Sequence, residues 1–101
     1  MHEYLYNAKN KTLELISEKE TEKIQLSDME CRFLEAISNG GTNSWREIAD
    51  YVYERKGIST RSTHDISNVK SIKMKLLLKV PLKMDQKYGY GIMLLNKIYI
   101  R

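Results

Sequence analysis

Cysteine, proline, histidine, phenylalanine and tryptophan are all scarce in this 101-residue chain, and each scarcity narrows what it can be. The single cysteine, Cys31, cannot form an internal disulfide, so the fold must stand on its own core. The single proline, Pro81, and the five glycines are too few for a linker or a low-complexity segment. Two histidines, His2 and His64, sit far apart in sequence, and the one cysteine lies on an apolar stripe, which leaves no metal-ligand spacing. No apolar run approaches the ~18 residues of a membrane span, and the N-terminus lacks a charged-then-apolar leader pattern. The expectation is a soluble, cytoplasmic domain with Cys31 as a buried thiol. A catalytic reading finds no support. No Gly-x-Ser-x-Gly turn occurs, no third group is available to orient a Cys/His pair, and no helix follows Tyr88-Gly89-Tyr90-Gly91 to cradle a phosphate. No enzyme activity, cofactor, metal or small-molecule substrate is expected.

Acidic residues are also scarce in one part of the chain. Residues 55–87 hold nine Lys/Arg and two Asp/Glu, whereas residues 1–54 hold six Lys/Arg and eleven Asp/Glu. The net charge of +4 thus conceals a −5 segment followed by a +7 segment. A basic stretch is most often only a solvated face. Here apolar residues recur inside it at helical spacing, which is the footprint of a protein that lays one face on a phosphate backbone.

The first quarter alternates at period two. Tyr4-Leu5-Tyr6, Thr12 to Ile16 and Lys23 to Leu26 read as short antiparallel strands separated by turn-rich or acidic segments. At Ser27 the period changes. Ser27-Asp28-Met29-Glu30 has the form of a capping box, and Met29, Phe33, Leu34 and Ile37 follow on one helical face up to Asn39-Gly40-Gly41. A second capping box, Ser44-Trp45-Arg46-Glu47, precedes Ile48, Tyr51 and Val52. A third helix starts near Thr63 to Asp65 and buries Ile66, Val69, Ile72 and Leu76. Its outward face then carries Ser67, Asn68, Lys70, Ser71, Lys73 and Met74. Pro81 stops it. Leu82 to Met84 and Ile92 to Leu95 read as a hairpin around a turn at Asp85 to Gly89, and Ile98 to Ile100 as an edge strand.

The predicted architecture is α+β in one domain. It comprises an N-terminal sheet of three to four antiparallel strands (1–26), a three-helix helix-turn-helix core (27–79) and a C-terminal β-hairpin wing (80–101). A basic third helix followed by a hairpin is the order of a winged helix, with the recognition helix in the major groove and the hairpin on the flank. On this reading Asn68 pairs with adenine and Lys70 reaches guanine acceptors, while Ser67 and Ser71 let the helix approach. Lys73, Lys75, Thr63, Arg61 and the wing residues Lys87 and Tyr88 meet the backbone.

Four motifs in order resemble the OmpR/PhoB-type effector domain of bacterial response regulators. They are Leu26-Ser27-Asp28-Met29-Glu30-Cys31-Arg32-Phe33-Leu34, Ser44-Trp45-Arg46-Glu47-Ile48 with Val52-Tyr53, Val69-Lys70-Ser71-Ile72-Lys73-Met74-Lys75-Leu76, and Gly89-Tyr90 before Ile92-Met93-Leu94. The family's Leu-Arg is here Ile72-Lys73, which lacks the planar guanidinium fork. Met1 stands directly before the first strand, which resembles the ToxR-like branch, where the winged helix is N-terminal and a membrane helix comes later. A stand-alone regulator and the cytoplasmic part of a longer, membrane-tethered one both fit. The resemblance implies sequence-specific double-stranded DNA binding in transcription regulation. It also implies contact with RNA polymerase through the Arg55–Ser62 loop and head-to-tail dimers on direct repeats. The rival reading is a winged-helix protein-interaction module without DNA binding. The two part on whether Lys70, Lys73, Lys75, Lys83 and Lys87 converge on one surface, which favours DNA, or are neutralised by acids from the first half, which favours the interaction module.

Overall fold

The computed structural model describes residues 2–17, 22–53, 63–87 and 91–101. The described chain runs β1 (Glu3–Asn7), β2 (Thr12–Ile16), β3 (Glu22–Gln25), α1 (Asp28–Ile37), β4 (Thr42–Ser44), α2 (Trp45–Tyr53) and α3 (Thr63–Lys79). It ends with β5 (Met84–Lys87), β6 (Gly91–Leu94) and β7 (Ile98–Ile100). It is an α+β fold in which three helices pack with a four-stranded sheet, order β3-β2-β1-β7, and a three-stranded sheet, order β4-β6-β5.

The alternating N-terminal segments form strands because one face of each has a core to meet. Tyr4 and Tyr6 of β1 and Leu13 of β2 are fully buried, and the register pairs Tyr4 with Leu15 and Tyr6 with Leu13. Their neighbours at odd offsets face out, as a two-residue side-chain period requires. β1 and β2 are antiparallel, and so are β2 and β3. The fourth strand corrects the expectation of an antiparallel sheet. β7 pairs with β1 in parallel, Leu5 opposite Tyr99, so the last strand of the chain closes the edge beside the first. Asn96 holds that return. Its buried side chain accepts the Lys83 amide at 2.6 Å and donates to the His2 carbonyl at 2.8 Å.

α1 begins at the capping box anticipated from the sequence. Ser27 Oγ accepts the Glu30 amide at 3.2 Å, and Glu30 Oε1 accepts the Ser27 amide at 2.8 Å. Phe33, Leu34, Ile37 and Cys31 face the core, and Gly40 after the C-cap has φ +81°, a conformation that a side chain would strain. The next segment departs from expectation. Thr42-Asn43-Ser44, to which the sequence reading assigns no element beyond the Ser44 cap, is a strand and pairs antiparallel with β6, Asn43 opposite Ile92. The buried Asn43 amide closes on Asn39 through bonds of 2.9 and 3.2 Å and on the Gly41 carbonyl at 3.2 Å, which fixes the α1–β4 connection. Gly91 is the residue that lets β6 reach β4. A Cβ there would lie 2.3 Å from the Asn43 carbonyl oxygen.

Trp45, Ile48, Ala49 and Val52 form the buried stripe of α2. Tyr51, expected in that stripe, is instead half-exposed, and its hydroxyl donates to Glu35 Oε1 of α1 at 2.8 Å. In α3 Val69 and Leu76 are fully buried, Ile66 and Ile72 pack against the core, and Asp65 is buried beside them. The hairpin also starts later than expected. Leu82 is buried with its amide bonded to the Val80 carbonyl at 2.8 Å, and the Lys83 amide is taken by Asn96. Pro81 offers no donor, so pairing begins only at Met84 and Asp85 lies in β5 rather than in a turn. β6 ends at Leu94, and Leu95 is exposed outside it.

Candidate nucleic-acid interface

α3 is 17 residues long, and its charge is one-sided. Its one acid, Asp65, is buried in the first turn, whereas Lys70, Lys73, Lys75 and Lys79 follow it. Ser67, Lys70, Ser71, Met74 and Lys75 are exposed, and Asn68 and Lys73 are half-buried on the two flanks of that face. The small side chains of Ser67 and Ser71 leave a shallow track between them. The sequence-predicted residues of this helix therefore share one outward surface. The backbones of Thr63 and Lys87 lie within α3 and β5, but their side chains fall outside the described set, as do Tyr88, Arg61 and the Arg55–Ser62 loop.

The surface splits into two flanks. On one, Lys70 and Lys73 turn toward α2, where their Nζ atoms stand 5.3 Å and 5.7 Å from the centroid of the Trp45 ring. Trp45 is buried, and among the described residues its indole N–H meets no hydrogen-bond partner. On the other lie Asn68, half-buried, and Lys75, exposed. Among the described residues no acid pairs with Lys70, Lys73, Lys75 or Lys83, whereas Lys11–Asp28 and Lys79–Glu30 are ion pairs.

Lys79 is committed elsewhere. Its ammonium lies 2.7 Å from Glu30 Oε1 and 3.4 Å from the Gln25 carbonyl, tying the end of α3 to the start of α1. Burial pushes the Glu30 carboxyl up, but the Lys79 and Ser27 hydrogen bonds outweigh it and hold the group below its ordinary range. The same acids bear on anion binding at the helix starts. α1 carries Asp28 and Glu30 in its first turn, already paired with Lys11 and Lys79, and α2 carries Glu47 in its own. α2 opens directly at Trp45, with Ser44 Oγ accepting the Glu47 amide at 3.1 Å, and faces the two lysines.

A second cluster joins α1 to the sheet. Glu35 accepts the hydroxyl of Tyr6 on one oxygen and that of Tyr51 on the other. Burial first, then the Glu35 and Cys31 contacts, pushes the Tyr6 phenol well up, and burial likewise raises the Cys31 thiol. These groups are proton-bearing at neutral pH and serve as ties between elements. Among the described residues no group of three His, Cys, Asp or Glu is placed to hold a metal. No described helix is long and apolar enough to cross a membrane.

The pairing of Trp45 with Lys70 and Lys73 escaped sequence reasoning. The only signal was an aromatic residue at a helix start and two lysines three apart, some 25 positions downstream. Compared with known proteins, the chain matches no family model and no curated relative.

Proposed function

We propose that this chain binds double-stranded DNA sequence-specifically and acts in transcription regulation as a non-catalytic winged-helix domain of OmpR/PhoB type. The observation that carries the reading is the outward face of α3, where Lys70, Lys73 and Lys75 flank two small serines and no described acid neutralises them. An α-helix with a short-side-chain track fits the major groove, and unpaired lysines supply the phosphate attraction that dominates affinity. The three-stranded sheet β4-β6-β5 supports the winged arrangement, since its β5–β6 hairpin stands next after α3 in the chain. In this reading Ser67, Asn68 and Ser71 face bases, while Lys73, Lys75 and the wing residues Lys87 and Tyr88 meet the backbone. Polymerase contact by the Arg55–Ser62 loop and tandem binding on direct repeats follow from the family resemblance.

The protein-interaction reading has one observation in its favour. Met74 and Leu78, one turn apart on the outer face of α3, are 57% and 86% exposed. Selection of binding sites from a random duplex pool, followed by affinity measurement over a salt series, separates the two. DNA binding yields an enriched motif and an affinity that falls with salt. The interaction module yields neither, and its partner contact is lost in Leu78→Gln.

A further inference from the structure

We propose that Trp45, Lys70 and Lys73 form a prearranged cationic site for one backbone phosphate of duplex DNA, with Trp45 as the positioning residue beneath both ammoniums. The inference rests on the DNA-binding reading and deepens it. Lys70 and Lys73 are three residues apart on α3, and both ammoniums lie within 6 Å of one indole, at 5.3 and 5.7 Å. Lysine side chains on a helix surface are otherwise free to spread into solvent. The negative face of the ring attracts each of them, and tryptophan does this best among the aromatic residues. The two like charges repel each other, and neither has an acidic partner among the described residues to relieve the repulsion.

The ring itself carries a cost in this fold. Trp45 is 4% exposed and its buried indole N–H meets no acceptor among the described residues, a penalty that phenylalanine at the same place would not incur. What tryptophan offers over phenylalanine here is the stronger ring face toward the two lysines. A phosphodiester suits the site. It brings one negative charge and two non-bridging oxygens, one for each ammonium, and lysine is a point-charge donor suited to phosphate. Lys70 is thereby assigned to the backbone and not to a guanine, leaving base contacts to Ser67, Asn68 and Ser71.

The test is fluorescence-anisotropy titration of a labelled random-sequence duplex over a salt series. It compares the full chain with Lys70→Gln, Lys73→Gln, the double variant, Trp45→Phe and Trp45→Leu. If the lysines share one phosphate, the double variant lowers the log–log salt slope by about one; lysines serving separate phosphates lower it by about two. Trp45→Leu, with both lysines present, weakens binding by ~3- to 10-fold, and Trp45→Phe falls between it and the wild type. Because Trp45 is the only tryptophan, its emission reports on the site directly. It changes on saturation with duplex in the wild type and stays constant in the double lysine variant. That readout stands even if Trp45→Leu fails to fold. The proposal is overturned if wild-type protein binds duplex while the double variant keeps its full slope, loses about two units, or leaves the Trp45 response intact. If wild-type protein binds no duplex, the DNA-binding reading itself fails.

Discussion

Replacing Lys79 by methionine keeps most of the aliphatic stem and removes the ammonium that offsets Glu30. The Glu30 side chain is 4% exposed, and among the described residues its Oε2 meets no hydrogen-bond partner, so Oε1 carries the compensation through Lys79 at 2.7 Å and the Ser27 amide at 2.8 Å. Removing one partner of a buried pair costs about 3–5 kcal/mol because a charge is left uncompensated. Lys79 is 43% exposed, so solvent screens part of that loss and about 2–3 kcal/mol is the expected effect at pH 7. For a chain of this size that corresponds to a fall in Tm of roughly 10–20 °C. The pH dependence has a definite sign. In the wild type the folded Glu30 carboxyl lies below its unfolded value, so its contribution is present above the unfolded value and is lost as pH falls through the folded one. In Lys79→Met burial becomes the dominant influence and moves the carboxyl the other way. Protonation then relieves the variant, and the stability gap narrows as pH falls from 7 toward 4. Urea denaturation followed by circular dichroism at both pH values measures the gap. Equal stability at pH 7, or a gap that widens on acidification, refutes the account of Glu30. Because Lys79 is committed to Glu30, the variant's salt slope for DNA should equal that of the wild type wherever both are folded.

Gly91→Ala should destabilise the fold by about 1–3 kcal/mol or prevent folding, since the new Cβ meets the Asn43 carbonyl backbone at 2.3 Å; unchanged urea unfolding would contradict the β4–β6 approach. Asn68→Ala should cost about 1–3 kcal/mol on a selected site and relax one base position, whereas Lys75→Ala should weaken cognate and random duplexes alike and lower the salt slope by about one. Affinity loss spread evenly across sequences in both variants would remove Asn68 from the groove. Cys31, 6% exposed and with its thiol pushed up by burial, should react with a thiol reagent only as the protein unfolds; rapid labelling of the folded chain would contradict its placement.

What was readable in the sequence is what local chemistry controls. Ser27 and Glu30 announce a helix start because the capping box is made within four residues, and Pro81 announces an end because it lacks a donor. The period-two strands and the stripe Val69–Leu76 were readable because burial imposes a fixed spacing. β4 was not, since Thr42-Asn43-Ser44 is polar and becomes a strand only by pairing with β6 some fifty residues later. The parallel partnership of β7 with β1 is equally non-local. The candidate interface divides in the same way. Helical spacing predicted the outward residues of α3, but the turn of Lys70 and Lys73 onto Trp45 depends on how α2 packs against α3, which no local pattern encodes.

The central claim is that an open lysine face on α3 binds duplex DNA, and its most direct test is affinity for duplex DNA as a function of salt concentration. With about 4 to 6 phosphate contacts per chain, the log–log slope should be about −4 to −5, and Lys70→Gln/Lys73→Gln should make it shallower. A salt-independent affinity, or no binding to any duplex at low salt, would contradict the claim.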